Sequence, residues 1–433
     1  MQQIDRRTFL RRAALAAGGL AIAGPLEAFA TRVAASATVA IDRYGPLVAK
    51  GDLWLPEAFS YRIISRQGDP MSDGNPTPGI FDGMAAFSGS NGTTILVRNH
   101  ENRRLPGETA VVVPPEKRYD PDPSYNGGCT KLIVSPDRRV VRSFAVLGGT
   151  LVNCAGGRSP WSSWLSCEEI FGSGQRRHGY IFEVSAGASG PVVTDPISAA
   201  GRFVHEAVAW HKGILYETED RPDNAAFYRY IPETQPVGPG DLARSVGRLE
   251  ALKIVGIRNA QTNLVWPVGI PFPVEWVTID EPNPATDTVR FQAQERGAAA
   301  FHRQEGIWVE NARVYFDCTD GGAAGLGQIW EFDPALQMLK LIYESPGPAE
   351  LSHPDNLVVG PGGDLFLCED TSGIDHVRGL TPDGRIYDFA RAATNTTEFA
   401  GACFDPSGAT MYVNQQGNRS GQRGVTYAIW GPW

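Results

Sequence analysis

Apolar residues along this chain fall in short runs broken by polar ones, and almost nowhere in the three-to-four spacing of an amphipathic helix. Runs such as Thr94–Arg98, Val140–Val146, Ile214–Thr218, Phe227–Ile231, Gln328–Phe332, Leu339–Tyr343, Leu365–Cys368 and Met411–Asn414 predict short strands. Glycine (49 residues) and proline (32) punctuate the chain densely and supply the turns between them. Three turns, Pro361-Gly362-Gly363, Pro382-Asp383-Gly384 and Pro406-Ser407-Gly408, each precede a strand run; the first and last stand about 45 residues apart, the length of one propeller blade. The pattern predicts an all-β chain, a six-bladed β-propeller. Pro106–Asn126, Pro232–Ala251 and Val268–Thr288 break the pattern and are expected as rim insertions. The innermost strand of each blade lines a central channel, so circular closure would bring together residues far apart in sequence.

The N-terminus changes the picture of where the protein works. Arg6-Arg7-Thr8-Phe9-Leu10-Arg11, the small apolar run Ala13–Gly24 and Ala28-Phe29-Ala30 together read as a twin-arginine signal peptide over residues 1–30. The mature chain would start at Thr31, leaving 31–433 as a single propeller domain in the periplasm or secreted. The run is too short to span a bilayer and no longer one follows, so no stable membrane anchor is expected; the twin-arginine export machinery is an expected partner. That route carries folded proteins and commonly serves those with an inserted cofactor. A net charge of −9 without a basic stripe argues against nucleic acid as a partner. A closed ring has no obligatory edge, so a monomer is expected.

The chemistry concentrates in Asn153 to Glu169, NCAGGRSPWSSWLSCEE, which ends Cys167-Glu168-Glu169. Further acids end other apolar runs: Glu101, Glu206, Glu219-Asp220, Glu305 and Glu369-Asp370. If those strand ends converge, they need cations, because two carboxylates about 4 Å apart repel by roughly 4 kcal/mol at an effective dielectric of 20. Calcium takes six to eight oxygens, and iron accepts a soft thiolate beside hard carboxylates. Other candidates have plainer readings. Cys154, Cys318, Cys368 and Cys403 read as small apolar strand residues, Asp355-Asn356 as an Asx turn, and His100 as a satisfied core side chain. The serine-hydrolase pattern G-x-S-x-G and the zinc pattern H-E-x-x-H are both missing from the sequence.

RNHE (98–101), GGCTKL (127–132), the NCAGG to LSCEE segment (153–169), GRFVHEA (201–207), RQEG (303–306), HPDNL to LFLCED (353–370) and EFAGACFDPSG (398–408) together resemble the PhoX-type alkaline phosphatases, from about residue 55 to 416. The resemblance implies a six-bladed propeller exported by the twin-arginine route, with iron and calcium as cofactors and small phosphorylated molecules as substrates. It implies Cys167 as the iron thiolate and Glu206 and Glu305 as iron or bridging ligands. Glu101, Glu168, Asp220 and Glu369 would hold calcium or bridge it to iron, while Asn99 and Arg303 would face the substrate phosphate. Two departures stand out: Asn414-Gln415-Gln416-Gly417 where the family often has a histidine, and Cys129 in GGCT where GGTT is more usual. Rival readings are a calcium-only propeller hydrolase (a lactonase or phosphotriesterase) and a non-catalytic calcium-binding propeller.

Overall fold

The computed structural model describes residues 43–418 and 420–433; the signal peptide and the expected start at Thr31 lie outside them. Among the described residues the regular elements are antiparallel strands, a few 3-10 turns and one short α-helix, Val289–Glu295. Phe81–Ser88, Thr94–His100, Gly127–Val134 and Val140–Thr150 make a four-stranded meander. Asn153–Arg158, Ser163–Glu168 and Ile181–Ser185 make a three-stranded sheet. A nine-stranded sheet runs between His205–His211 at one edge and Gln304–Glu310 at the other. Pro354–Val359 begins a six-stranded sheet and Phe399–Phe404 a four-stranded one.

The leading strands of these runs are neighbours in a circle. Phe81–Ser88 touches Asn153–Arg158, followed in turn by His205–His211, Gln304–Glu310, Pro354–Val359 and Phe399–Phe404, which returns to Phe81–Ser88. The architecture is all-β and propeller-like. The N-terminal part closes it: Ser60–Arg66 pairs with Val425–Trp430 and so completes the last sheet. Trp433 then packs edge-on against Phe59 and Phe404, with ring centroids 4.8 Å from each, which anchors the C-terminus to the same wall.

Every leading strand opens with the same construction. After the second strand of each pair the chain donates a backbone N–H back across the turn: Glu101 to Ile80 O, Glu169 to Val152 O, Asp220 to Val204 O, Thr319 to Arg303 O, Asp370 to His353 O and Gln416 to Glu398 O, at 2.8–3.2 Å. Next, the ladder slips between Phe81/Met84, Asn153/Gly156, His205/Val208, Gln304/Ile307, Pro354/Asn356 and Ala400/Cys403. A bulge of this kind re-aims a side chain and twists its strand. Close packing at the bulge explains the small residues there: a Cβ on Gly83 would stand 2.4 Å from Ala155 Cα, and one on Gly306 2.8 Å from Leu357 N. Four of the six turns place a non-glycine residue at positive φ: Ile80 (48°), Val152 (49°), Arg303 (44°) and His353 (52°). This is strained backbone, costly for the β-branched Ile80 and Val152 above all, and such strain collects at functional sites.

The apolar runs singled out above fall in strands, except that Phe227 lies one residue before the strand Tyr228–Pro232. Two expected insertions turn out otherwise. Pro232–Ala251 runs into the strand Gly247–Ile254, and Val268–Thr288 holds the strand Pro271–Thr278. The latter pairs through Val274–Thr278 with Gly247–Ile254 and through Pro271–Pro273 with Met338–Glu344, which fuses two meanders into the nine-stranded sheet. Its prolines sit where the strand pairs on one side only, the position in which a sheet tolerates a missing N–H. Pro106–Asn126 contains no strand and one 3-10 turn, Pro115–Lys117.

Candidate metal centre

The bulges aim their first side chains into one opening of the ring. The residues there are Asp82, Cys154, Glu206, Glu305 and Asp355, one from each of five leading strands; the sixth strand has Ala400 at this place. A second tier comes from the residues just past the neighbouring strands: Glu101, Glu169 and Asp370. Glu398, from the sixth turn, completes the set. Together with Arg103 and Arg303 these side chains line a cavity of about 60 Å³. Four overlapping groups have ligand atoms within 4.8 Å of one another: Cys154, Glu169 and Glu206; Asp82, Glu101 and Glu398; Glu206, Glu305 and Asp355; Asp355, Asp370 and Glu398.

Two guanidinium groups are the cations at hand. Arg103 pairs with Glu101 and, at 2.7 Å, with Glu169. Arg303 pairs with Glu305 at 2.5 Å and approaches Asp220 at 3.3 Å. Gln416 Nε2 donates to Glu101 Oε2 at 2.6 Å. That leaves most of the acids unmatched. Burial, reinforced by neighbouring carboxylates, pushes Asp82, Glu206, Glu305 and Glu398 well above the usual carboxylate range. Burial likewise pushes Glu169 and Asp220 up to about 7 and Asp355 up to about 6, although Arg103 pulls Glu169 back. The Cys154 thiol is raised by burial, then by Glu206 and Glu169. Such a set is unfavourable as anions alone and fits bound cations: many hard oxygens for calcium, and one thiol among them for a softer metal.

Of the residues singled out from sequence, Glu101, Glu206, Glu305 and Arg303 line this cavity. Asp220 sits at its edge, beside Arg303. Cys167, Glu168, Glu369 and Asn99 do not line it, and strand alternation explains Glu168 and Glu369. In Glu168-Glu169, Glu219-Asp220 and Glu369-Asp370 the first acid points away and binds the local frame. Glu168 accepts from Leu151 N (3.0 Å) and Gly179 N (2.9 Å) and meets His178 Nδ1 at 2.7 Å. Glu219 accepts from Ala226 N and Tyr228 Oη. Glu369 accepts from Ser352 N and from Arg378 Nε, both at 2.9 Å. The second acid of each pair faces the site. Cys167, one residue before Glu168, is buried in an apolar cluster with Leu165 and Ile181. The thiol that lines the cavity is Cys154, set by its own bulge.

Asn99 holds the centre from behind. Its Nδ2 donates to the carbonyls of Cys154 (3.0 Å) and Ala155 (2.7 Å), and its Oδ1 accepts from Trp164 Nε1 (2.8 Å) and Ser166 Oγ (2.9 Å). It clamps the thiol-bearing bulge to the adjacent strand pair and has no amide proton left for a substrate. Asn99→Ala should lower unfolding stability by roughly 2–4 kcal/mol, because several buried partners lose their hydrogen bonds together. Denaturant unfolding checks this; a loss below about 1 kcal/mol would contradict the clamp.

Asp82, Cys154, Glu169, Asp355, Asp370, Glu398 and Arg103 complete the cavity lining and were not among the expected ligands. A signal for four bulge residues is present in the sequence: an acid or thiol followed at once by a small residue, as in Asp82-Gly83, Cys154-Ala155, Glu206-Ala207 and Glu305-Gly306.

Ring and site together define a propeller-like protein with an acid-rich cavity, able to hold metal ions, at one end of its channel. The chain matches the family model described as alkaline phosphatase PhoX over residues 42–418, and it belongs to that family, a class of phosphomonoester hydrolases. Among solved structures, Pseudomonas fluorescens PhoX in complex with vanadate, a transition state analogue, is similar with a TM-score of 0.70 at 16% identity, covering 89% of this chain and 97% of that one. A gluconolactonase from Xanthomonas campestris is similar with a TM-score of 0.42 at 12% identity, covering 91% of this chain and 97% of that one. No curated protein sequence gives a significant match.

Proposed function

We propose that this alkaline phosphatase works through a combined iron and calcium centre, with Cys154, Glu169 and Glu206 holding iron and the remaining carboxylates holding calcium. The observation that carries the reading is the Cys154 thiol within 4.8 Å of ligand oxygens from Glu169 and Glu206, beside further carboxylate groups of the same compactness. When bound, the cations would supply Lewis acidity at the phosphate oxygens and offset the charge of the acids. Arg103 and Arg303, with side chains 42% and 28% exposed, keep part of each guanidinium open to the cavity and can bind the substrate's phosphate oxygens from two sides. Gln416 holds Glu101 in place. The vanadate bound by the Pseudomonas protein agrees with a small phosphorylated substrate.

The circle of leading strands with their repeated turns supports a count of six blades, within one domain over 31–433. Twin-arginine export to the periplasm or beyond, with cleavage before Thr31, and a monomeric state complete the proposal. No helix among the described residues is long and apolar enough to cross a membrane. The test is phosphate release from p-nitrophenyl phosphate at alkaline pH by exported protein, alongside metal analysis. Turnover that chelation abolishes, in protein carrying both iron and calcium, is the expected result. Turnover that survives full chelation would overturn it.

A further inference from the structure

The channel has a second cavity at the other ends of the same strands, about 390 Å³ in volume, within the size range of small-molecule pockets. All six leading strands contribute to its wall. Cys154 and Arg158 mark the two ends of one strand, about 13 Å apart at the usual rise per residue. This cavity therefore lies on the far side of the ring from the acids.

Its chemistry is the reverse of theirs. The lining contains no carboxylate and a single charged group, Arg158. Three tryptophans, Trp164, Trp210 and Trp308, give it aromatic surface, and Met84, Val208 and Ile307 give it apolar depth. Arg158 lies over the Trp308 ring at 4.9 Å, so the guanidinium is held at the wall while its side chain stays exposed. At the inner end stands Asn356, where the other bulges carry glycine or alanine; it offers an amide one residue from Asp355. An apolar, aromatic-walled space with one cation at its rim matches a ligand that has a flat apolar body and one anionic group.

We propose that this cavity is a second ligand site, separate from the phosphatase centre, for a small aromatic monoanion whose charged group meets Arg158 and whose ring system stacks among the tryptophans. It does not depend on the identity of the metals.

Isothermal titration of the metal-loaded protein with 2-naphthoate, and with the neutral 2-naphthalenemethanol, tests it. Saturable one-to-one binding of the anion is expected. Binding should be at least tenfold weaker for the neutral compound, at least tenfold weaker for the anion on Arg158→Gln, and unchanged by saturating inorganic phosphate. Phosphatase activity of Arg158→Gln should match the unsubstituted protein. Absence of binding, equal affinity for the neutral compound, or displacement by phosphate would each overturn the proposal. The comparison of anion with neutral compound uses the unsubstituted chain, so it decides the matter even if Arg158→Gln folds poorly.

Discussion

Cys154→Ala is expected to lower phosphate release by more than about 100-fold and to remove bound iron, while Cys167→Ala keeps both. Changes merely behind a metal ligand already cost 10–100-fold, so loss of the thiol itself should exceed that range. Of the two thiols, Cys154 lines the cavity and Cys167 does not. Cys154 Sγ shares a compact group with Glu169 and Glu206. Cys167 is fully buried in the apolar cluster with Leu165, Ile181 and Phe203 and does not line the cavity. Its truncation should cost about 1–2 kcal/mol of stability from lost packing and little else. Iron content by elemental analysis, with activity on the same preparations, reads the outcome. Iron lost from Cys167→Ala but kept in Cys154→Ala would reverse the assignment of the thiol.

Chelated protein should lose stability as pH rises from about 4 to about 7, and metal-loaded protein should not. The cause is the raised carboxyls. Glu169 and Asp220 are pushed up to about 7 and Asp355 up to about 6, in each case chiefly by burial. In the unfolded chain the same groups titrate near 4. Between these values the metal-free folded protein holds protons that the unfolded chain has already released, so raising pH favours unfolding. Every tenfold difference in proton affinity between the folded and unfolded chain is worth about 1.4 kcal/mol, and several linked groups bring the total to several kcal/mol. Bound cations favour the ionised carboxylates and remove the slope. Thermal midpoints of both forms across this window give the measurement. A midpoint that stays level or climbs in the chelated form would mean that these acids do not share a buried site.

Strands were legible in the sequence where they carry large β-branched and aromatic residues, and much less so where the fold needs them most. Phe81–Ser88 and Asn153–Arg158 did not stand out as apolar runs. Their alanines, glycines and single polar residues dilute the alternation, because strands crowded around the channel have no room for more at their bulges. For the site, the clustering of acids at strand ends was readable. Which member of each adjacent pair faces inward was not, since that depends on register at the strand end. Glu168 and Glu369 were singled out, whereas their neighbours Glu169 and Asp370 line the cavity. Cys154 was hidden more deeply: a cysteine in a small-residue strand reads as packing until a bulge turns it. Arg303 and Glu305, singled out from sequence, line the cavity together because the turn and the bulge lie side by side in RQEG.

The pairing of Ser60–Arg66 with Val425–Trp430 has a consequence for biosynthesis. The first of these strands emerges from the ribosome long before its partner and must wait, unpaired, for nearly the whole chain to follow. Glu398 is likewise among the last contributors to the centre. A nascent or C-terminally truncated chain therefore cannot form a complete cage for cations, however many of its acids are already made. Such contacts of long sequence separation fold slowly. Closure of the acid cage therefore waits on synthesis of Glu398 and the strands around it.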